Sequence, residues 1–116
     1  MSVQRIKPGP RMSQAVVHGN TVYLQGLTAD DPSKDVKGQT AQILAKIDAL
    51  LAQAGTDKSK LLCANIWLTD IGTWSQMNEV WDAWVSPGNT PARATVEAKL
   101  AVAGCTVEIM VQAARG

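Results

Sequence analysis

Two charged side chains stand inside runs of apolar and β-branched residues in the C-terminal third of the chain. Arg93 lies in the run RATVEA, and Glu108 lies in the run CTVEIMV. A charge in a half-buried strand is costly unless it is paired, hydrogen-bonded or open to a wet cleft. Arginine holds a planar carboxylate through two parallel hydrogen bonds, and a glutamate in an apolar wall can handle protons near neutral pH. The pair therefore predicts a site that binds a carboxylate and moves a proton.

Strand geometry argues against a direct ion pair between these two groups. If the two runs pair as a hairpin across a turn near residues 102–104, Glu108 lies nearest Glu97, and Arg93 lies about four residues farther along. At about 3.3 Å per residue, the two backbones are then more than roughly 10 Å apart. Two interpretations stay open. Both side chains converge on a small ligand or on groups of a neighbouring subunit, or a salt bridge merely orders the sheet.

Composition excludes several classes of function. The 116 residues suffice for one domain, 1–116, and the formal net charge of +1 with scattered Lys and Arg gives no surface for a nucleic-acid partner. Cys63 and Cys105 form no CxxC motif, and the single His18 cannot complete a zinc set, so we expect free thiols and no metal. Free thiols, no membrane-spanning run and an N-terminus without an apolar signal core predict a cytoplasmic protein with no membrane partner.

Two segments have the spacing of amphipathic helices. The first runs from Asp35 to Ala54, with Asp35 as its N-cap and Gly55 just beyond its end. The second opens at Thr73, which forms a capping-box pattern with Gln76. Its apolar stripe consists of Trp74, Met77, Trp81, Trp84 and Val85. Indoles at this spacing are expected to pack on a sheet, with a platform that stacks a cofactor or nucleic acid as the alternative.

The remaining apolar runs predict a mixed sheet. We expect an edge strand at Val3–Ile6, a hairpin of Ala15–His18 and Thr21–Gln25, and a strand covered on both faces at Leu61–Leu68. This order predicts an α/β or α+β fold with two helices on one face of a sheet of about four to six strands. The other face would expose alternate members of an apolar set: Val17, Val22, Leu24, Ile66, Val96, Ile109 and Val111. An apolar face of that size predicts a homo-oligomer.

The segments taken together resemble the RidA (reactive intermediate deaminase) family. The C-terminal part carries a Pro-Ala-Arg-x-x-Val segment at Pro91–Val96, followed by an apolar-Glu-Ile segment in the last strand. Further segments match the family in order and spacing: GNTVYLQG, AQILAKIDALLAQAG, LLCANIWLTD and MNEVWDAW. The resemblance covers nearly the whole chain, and the Trp-rich second helix is most similar to the short YoaB-type branch.

The resemblance implies a chorismate-mutase-like fold of the bacillus type, assembled as a homotrimer with clefts between subunits. It implies hydrolysis of 2-imino acids, or of their enamine tautomers, to 2-oxo acids and ammonia, with no metal or organic cofactor. The family's carboxylate-binding arginine falls on Arg93, and its water-activating glutamate falls on Glu108. The other implied substrate-binding positions are Met12, Gln25, Gly26, Asn78 and Thr95.

Three of these positions depart from the family pattern. Thr95 stands where cysteine is frequent, Gln25 stands where serine precedes the glycine, and Met12 falls near a tyrosine and has no hydroxyl. The arginine and the glutamate are retained, so the residues that the minimal chemistry requires are present. Because groups around a site decide which side chain it accepts, the substrate is expected to differ.

Two other functions stay open for the same residues. The first is a non-catalytic trimer that binds or senses a small carboxylate such as a 2-oxo acid, for which Arg93 alone would serve. The second is the ribonuclease or chaperone activity that has been attached to the family. One histidine expected in a turn, no metal-ligand cluster and no basic patch argue against nuclease chemistry.

Overall fold

The structure, a computed structural model, describes residues 1–116 as a six-stranded mixed sheet with two α-helices on one face. The strands are β1 (Val3–Pro8), β2 (Ser13–His18), β3 (Thr21–Leu24), β4 (Leu61–Leu68), β5 (Ala92–Glu97) and β6 (Val107–Ala114). The helices are α1 (Val36–Gln53) and α2 (Trp74–Trp84), and short 3-10 turns at Lys58–Lys60 and Ile71–Thr73 precede β4 and α2. The predicted α+β architecture is confirmed.

The strand order, β1-β2-β3-β6-β4-β5, differs from the hairpin expected near the C-terminus. β4 and β5 run parallel with α2 between them in the chain, whereas β6 pairs antiparallel with both β3 and β4. The last two strands therefore do not pair with each other. A parallel pair needs a crossover connection, and the crossover through α2 places β5 on the outer side of β4. The inner side of β4 is left for β6.

Alternation along the strands separates a buried face of the sheet from an open one. The apolar set expected to be exposed lies instead under the helices, with the exception of Val96, which is 49% exposed. The other members are at most 2% exposed: Val17, Val22, Leu24, Ile66, Ile109 and Val111. They share one face because strand side chains alternate with a period of two, and this face meets the apolar stripes of the helices. The open face carries a partly exposed mixed set: Val16, Tyr23, Asn65, Trp67, Glu108, Met110 and Gln112.

The caps of α1 agree with the sequence, whereas the start of α2 does not. Asp35 accepts a hydrogen bond from the Gly38 amide at 2.8 Å, and Gly55 takes a φ of +82° just beyond the helix. Thr73 makes no side-chain cap, because the preceding 3-10 turn brings its hydroxyl to the Asp70 carbonyl at 2.6 Å. The expected capping box is therefore wrong.

The core lies between the helices and the buried face of the sheet. From α2, Met77 and Trp81 are buried, and Trp84 packs at the margin. Trp74, expected in the same stripe, is 48% exposed, because the part of α2 that meets the core begins one turn later. Neither helix is long and apolar enough to cross a membrane.

β4 is a central strand, but the chain covers only one of its faces. Its buried positions alternate with partly exposed ones, which include Asn65 and Trp67. The prediction that β4 is covered on both faces is therefore wrong within a single chain. The open face of β4 stays available to a ligand or to another chain.

Candidate functional site

Arg93 is held on the helix side of the edge strand β5 by two residues of α2. Its Nη1 donates a hydrogen bond to Oδ1 of Asn78 at 2.7 Å, and its guanidinium lies 5.4 Å from the centre of the Trp81 ring. Asn78 and Trp81 are one helical turn apart, so both face the same strand. A guanidinium that stacks on an aromatic ring and makes one fixed hydrogen bond has a preset orientation.

Arg93 leaves most of its hydrogen-bonding capacity unused. A guanidinium has five N–H donors, and the bond to Asn78 is the one side-chain hydrogen bond that Arg93 makes. Burial lowers the pKa of Arg93 below its ordinary value, and the Asp82 carboxylate partly opposes that change. Arginine stays protonated in proteins at neutral pH. Charged and partly dehydrated donors in a planar array are suited to a carboxylate.

Thr95 adds a polar group on the same face of β5. It follows Arg93 by two positions, so strand alternation places both side chains on one face. Its hydroxyl oxygen is buried and has no hydrogen-bond partner. A buried polar atom without a partner is costly, so an added partner would be favourable. Arg93, Asn78 and Thr95 are called the arginine half of the site below.

Glu108 stands on the open face of β6, against the backbone of Gly26. A Cβ added at Gly26 would overlap Oε2 of Glu108 and lie 3.3 Å from its Cδ, so only glycine leaves room for the carboxylate in this position. Leu27 and Ile109 exchange backbone hydrogen bonds of 2.9 and 3.0 Å, which hold this contact in place. No ion pair engages the Glu108 carboxylate. Gly26 and Glu108 are called the glutamate half.

The two halves lie on opposite faces of the sheet. Arg93 pairs with Ala64 of β4, which is fully buried under the helices. Glu108 pairs with Trp67 of β4, which belongs to the open face. Paired residues share a face, and positions 64 and 67 are an odd number of residues apart, so their side chains project in opposite directions. Arg93 and Glu108 of one chain form no ion pair, so a salt bridge that orders the sheet is excluded within the chain. The absence of an ion pair was predicted, but the hairpin on which that prediction rested does not form.

Two of the predicted substrate-binding residues, Met12 and Gln25, belong to neither half. Met12 precedes β2, and its side chain is 59% exposed. Gln25 lines a recess of about 290 Å³ between the first hairpin and α1, together with Lys7 and Lys46. Neither side chain hydrogen-bonds to the arginine half or to the glutamate half.

The sequence does not predict that two tryptophans, Trp81 and Trp67, lie at the site. The sequence favours packing for Trp81, with a stacking platform as the alternative, and neither interpretation places it beside Arg93. Its spacing from Asn78 within α2 could have indicated a place beside the same strand. Trp67 is the cross-strand neighbour of Glu108, which only the register of two distant strands reveals. It borders a recess of about 200 Å³, which is lined by Trp67, Ala98, Lys99, Leu100, Ala101 and Glu108.

The side chains present define what the two halves can do. The arginine half can bind a planar anion, and the glutamate half offers a carboxylate base beside the recess. No group of three or more His, Cys, Asp or Glu side chains is arranged to hold a metal ion, and Cys63 and Cys105 are separate free thiols. The arrangement suits acid–base chemistry on a small carboxylate.

Comparison with known proteins gives matches along the whole chain. The family model described as Endoribonuclease L-PSP matches residues 2–115. The RutC family protein YoaB of Escherichia coli K12 is 42% identical over 114 residues, which cover 98% of this chain and 99% of that protein. A crystal structure of a YjgF family member from Neisseria meningitidis superposes with a TM-score of 0.97 at 42% identity, over 100% of this chain and 97% of that one. A YjgF/YER057c/UK114 family member from Mycobacterium tuberculosis gives a TM-score of 0.88 at 28% identity, over 97% and 99% of the two chains.

Proposed function

The chain belongs to the RidA/YjgF family, whose model is described as Endoribonuclease L-PSP, and we propose that it hydrolyses 2-imino acids and their enamine tautomers to 2-oxo acids and ammonia. The reaction takes place in a cleft between two subunits of a homotrimer, where the arginine half of one chain faces the glutamate half of the next. The proposal rests on the position of the two halves on opposite faces of the sheet. Arg93 has free donors on one face of the sheet, and Glu108 has a free carboxylate on the other.

The open face of the sheet supports an assembly of several chains. Tyr23 and Val96 on this face are 38% and 49% exposed, and further apolar side chains around them are partly exposed. Exposed apolar surface of this kind commonly meets another subunit. A cyclic trimer repeats one contact between unlike surfaces, so each cleft would take one half-site from each of two chains.

In the proposed reaction, Arg93 binds the substrate carboxylate through two parallel N–H···O bonds. Trp81 and Asn78 orient the guanidinium in advance, so binding does not have to order it. The bound carboxylate fixes the adjacent imine carbon relative to the glutamate of the facing chain. A fixed position lowers the entropy cost of attack by water.

Glu108 acts as general base and then as general acid. It takes a proton from water as the water oxygen bonds to the imine carbon, and it gives that proton to the nitrogen, which receives the electron pair of the C=N bond. In the resulting carbinolamine, the carboxylate takes the hydroxyl proton and passes it to the amino nitrogen. The C–N bond then breaks, and ammonia and the 2-oxo acid form. Imines hydrolyse readily in water, so only a modest acceleration is required.

The charged residues of this chain favour a small carboxylate over RNA. Binding of an RNA backbone depends on clustered Lys and Arg, whereas the formal net charge here is +1. His18 is exposed at the end of β2, and it belongs to neither half of the site. The nuclease activity in the family's description is therefore not extended to this chain.

An imine-trapping assay tests the proposal directly. An amino-acid oxidase generates 2-imino acids in situ, and semicarbazide traps those that survive. Wild-type protein is expected to reduce the trapped product in proportion to its concentration. Glu108→Gln is expected to lose about 100-fold or more of this activity, since general acid–base catalysis contributes about 10²- to 10⁴-fold. Trapping that wild-type protein leaves unchanged with every imine would reject the proposal.

A non-catalytic trimer that binds a small carboxylate is the second candidate, because the free donors of Arg93 would serve it equally well. Glu108 separates the two functions, since a carboxylate binder gains nothing from a second negative charge nearby. Titration calorimetry with a 2-oxo acid is the measurement. Retained binding by Glu108→Gln together with lost turnover supports the enzyme. Binding without turnover in wild-type protein, unchanged by Glu108→Gln, supports the carboxylate binder.

Gly26→Ala is expected to lower deaminase activity at least about tenfold while the fold stays intact. The new Cβ would overlap the Glu108 carboxylate, which is the end of a flexible side chain and would swing aside. A misplacement of about 1 Å can cost on the order of 10²-fold in rate. Gly72→Ala is the matched control, because its Cβ would crowd the Asp70 carboxylate at 3.0 Å, and neither Gly72 nor Asp70 belongs to either half. Full activity of Gly26→Ala would show that Glu108 does not act from this position.

A further inference from the structure

The recess beside Glu108 has a largely apolar lining. Its volume is about 200 Å³, and four of its six lining residues are hydrophobic. Trp67 forms one wall as the direct cross-strand neighbour of Glu108. Residues 98–101 form the other wall, and the Ala98 amide anchors this segment by donating to the Leu68 carbonyl at 2.9 Å. The recess is thus bounded by a strand of the sheet on one side and, on the other, by a segment whose first residue is hydrogen-bonded to that strand.

The recess is large compared with the side chain of a small imino acid. An apolar cavity of about 150 Å³ takes up a benzene molecule, whereas a water molecule occupies about 30 Å³ in the liquid. A methyl group would therefore leave most of the 200 Å³ filled with water that contacts Trp67 and Leu100. A branched aliphatic or aromatic group would displace this water, and removal of apolar surface from water is favourable.

We propose that this recess is the side-chain subsite of the reaction, and that it selects 2-imino acids with bulky apolar side chains. The inference rests on the proposed deaminase function. The imine carbon carries three groups, of which the carboxylate goes to Arg93 of one chain and the nitrogen receives protons from Glu108 of the other. The third group is the side chain, and we assign it to the recess because Glu108 itself is one of the residues that line the recess.

Lys99 at the rim suggests the competing class, which is imino acids with acidic side chains. Its side chain is exposed, and it forms no ion pair with Glu108. An exposed ammonium contributes little to binding because solvent screens it. Glu108 itself would repel a second carboxylate in the same recess. The apolar class is therefore favoured.

A panel of imines that differ only in their side chains tests the inference. The trapping assay is run with alanine, leucine, phenylalanine and glutamate as precursors, at matched rates of imine supply. We expect kcat/KM to be at least about tenfold higher for the leucine- and phenylalanine-derived imines than for the alanine-derived imine, since one methylene in an apolar pocket changes selectivity by about 10- to 200-fold. Equal values, or a preference for the glutamate-derived imine, would overturn the inference.

Two variants change the recess in opposite directions. Ala101→Leu fills it and is expected to reduce the leucine-to-alanine ratio of kcat/KM by about tenfold. Leu100→Ala enlarges it and is expected to shift the preference from the leucine-derived to the phenylalanine-derived imine. Val102→Leu is the control, because it adds a methylene immediately after this segment, at a 50% exposed position outside the recess. Ratios that respond to neither recess variant would overturn the assignment.

The same panel separates a failure of the subsite from a failure of the proposed function. If no imine is hydrolysed, including the alanine-derived one, both proposals fall. If every imine is hydrolysed at a similar rate, and if Ala101→Leu and Leu100→Ala leave the kcat/KM ratios between imines unchanged, the deaminase function stands and the subsite assignment is wrong.

Discussion

Replacing Arg93 by alanine is expected to lower kcat/KM for 2-imino acids by about 30- to 5,000-fold. Truncation of one partner of a buried charged pair costs about 2–5 kcal/mol, and each 1.36 kcal/mol corresponds to about a tenfold change. The substrate carboxylate would lose its planar partner, and the imine carbon would lose its fixed position. The trapping assay measures the loss. Sizing with light scattering is expected to show an intact oligomer, because the contacts that Arg93 makes, with Asn78 and Trp81, lie within its own chain.

Two substitutions serve as controls for this result. Arg5→Ala removes an exposed arginine from β1, at the opposite edge of the sheet, and is expected to keep activity within about twofold. Arg93→Lys keeps the charge but cannot form two parallel hydrogen bonds, so only part of the activity should remain. Full activity of Arg93→Ala would reject the assignment of carboxylate binding to this residue.

Two inactive variants, Arg93→Ala and Glu108→Gln, are expected to regain activity when their chains are mixed in one oligomer. The two residues project from opposite faces of the sheet, so one cleft would take them from different chains. A cleft works when its arginine comes from the chain with Glu108→Gln and its glutamate comes from the chain with Arg93→Ala. Random assembly of a cyclic trimer from equal amounts produces this combination in about a quarter of the clefts. About a quarter of wild-type activity should therefore return.

Co-expression of the two chains with different affinity tags yields the mixed oligomers, and each variant alone provides the baseline. A chain that carries both substitutions, mixed with Arg93→Ala, is the negative control, because neither chain then supplies the arginine. Verified mixed oligomers that stay inactive would mean that the two residues do not share a cleft between subunits.

Features that depend on neighbours in sequence were predictable from the sequence. The ends of α1 follow from Asp35 and Gly55, and the first hairpin turns at Gly19, which takes a φ of +60°. Each of these features rests on a cap or a turn of a few residues. Arg93 and Glu108 stand out for an equally local reason, because each is a charge within an apolar run.

Features that depend on distant segments were not predictable. The position of β6 between β3 and β4 follows from the crossover through α2, and a shift in register by one residue moves every side chain of a strand to the other face. For this reason the prediction of which residues lie on the exposed face was wrong. For the same reason the sequence could not place Trp67 beside Glu108. At Thr73 the 3-10 turn before the helix overrides the capping pattern.

During synthesis on the ribosome, the six-stranded sheet cannot be completed until β6 has been translated. β6 is the last of the strands to be synthesised, yet it lies between β3 and β4 and joins them. Until it is synthesised, the β1–β3 meander and the unit of β4, α2 and β5 have no strand pairing that joins them. Pairing between strands that are distant in sequence forms slowly, and partly folded chains expose apolar surface that promotes aggregation. A nascent chain that stops short of Val107 therefore presents two unjoined half-sheets to the cell's chaperones, and folding can finish only once the joining strand has been translated.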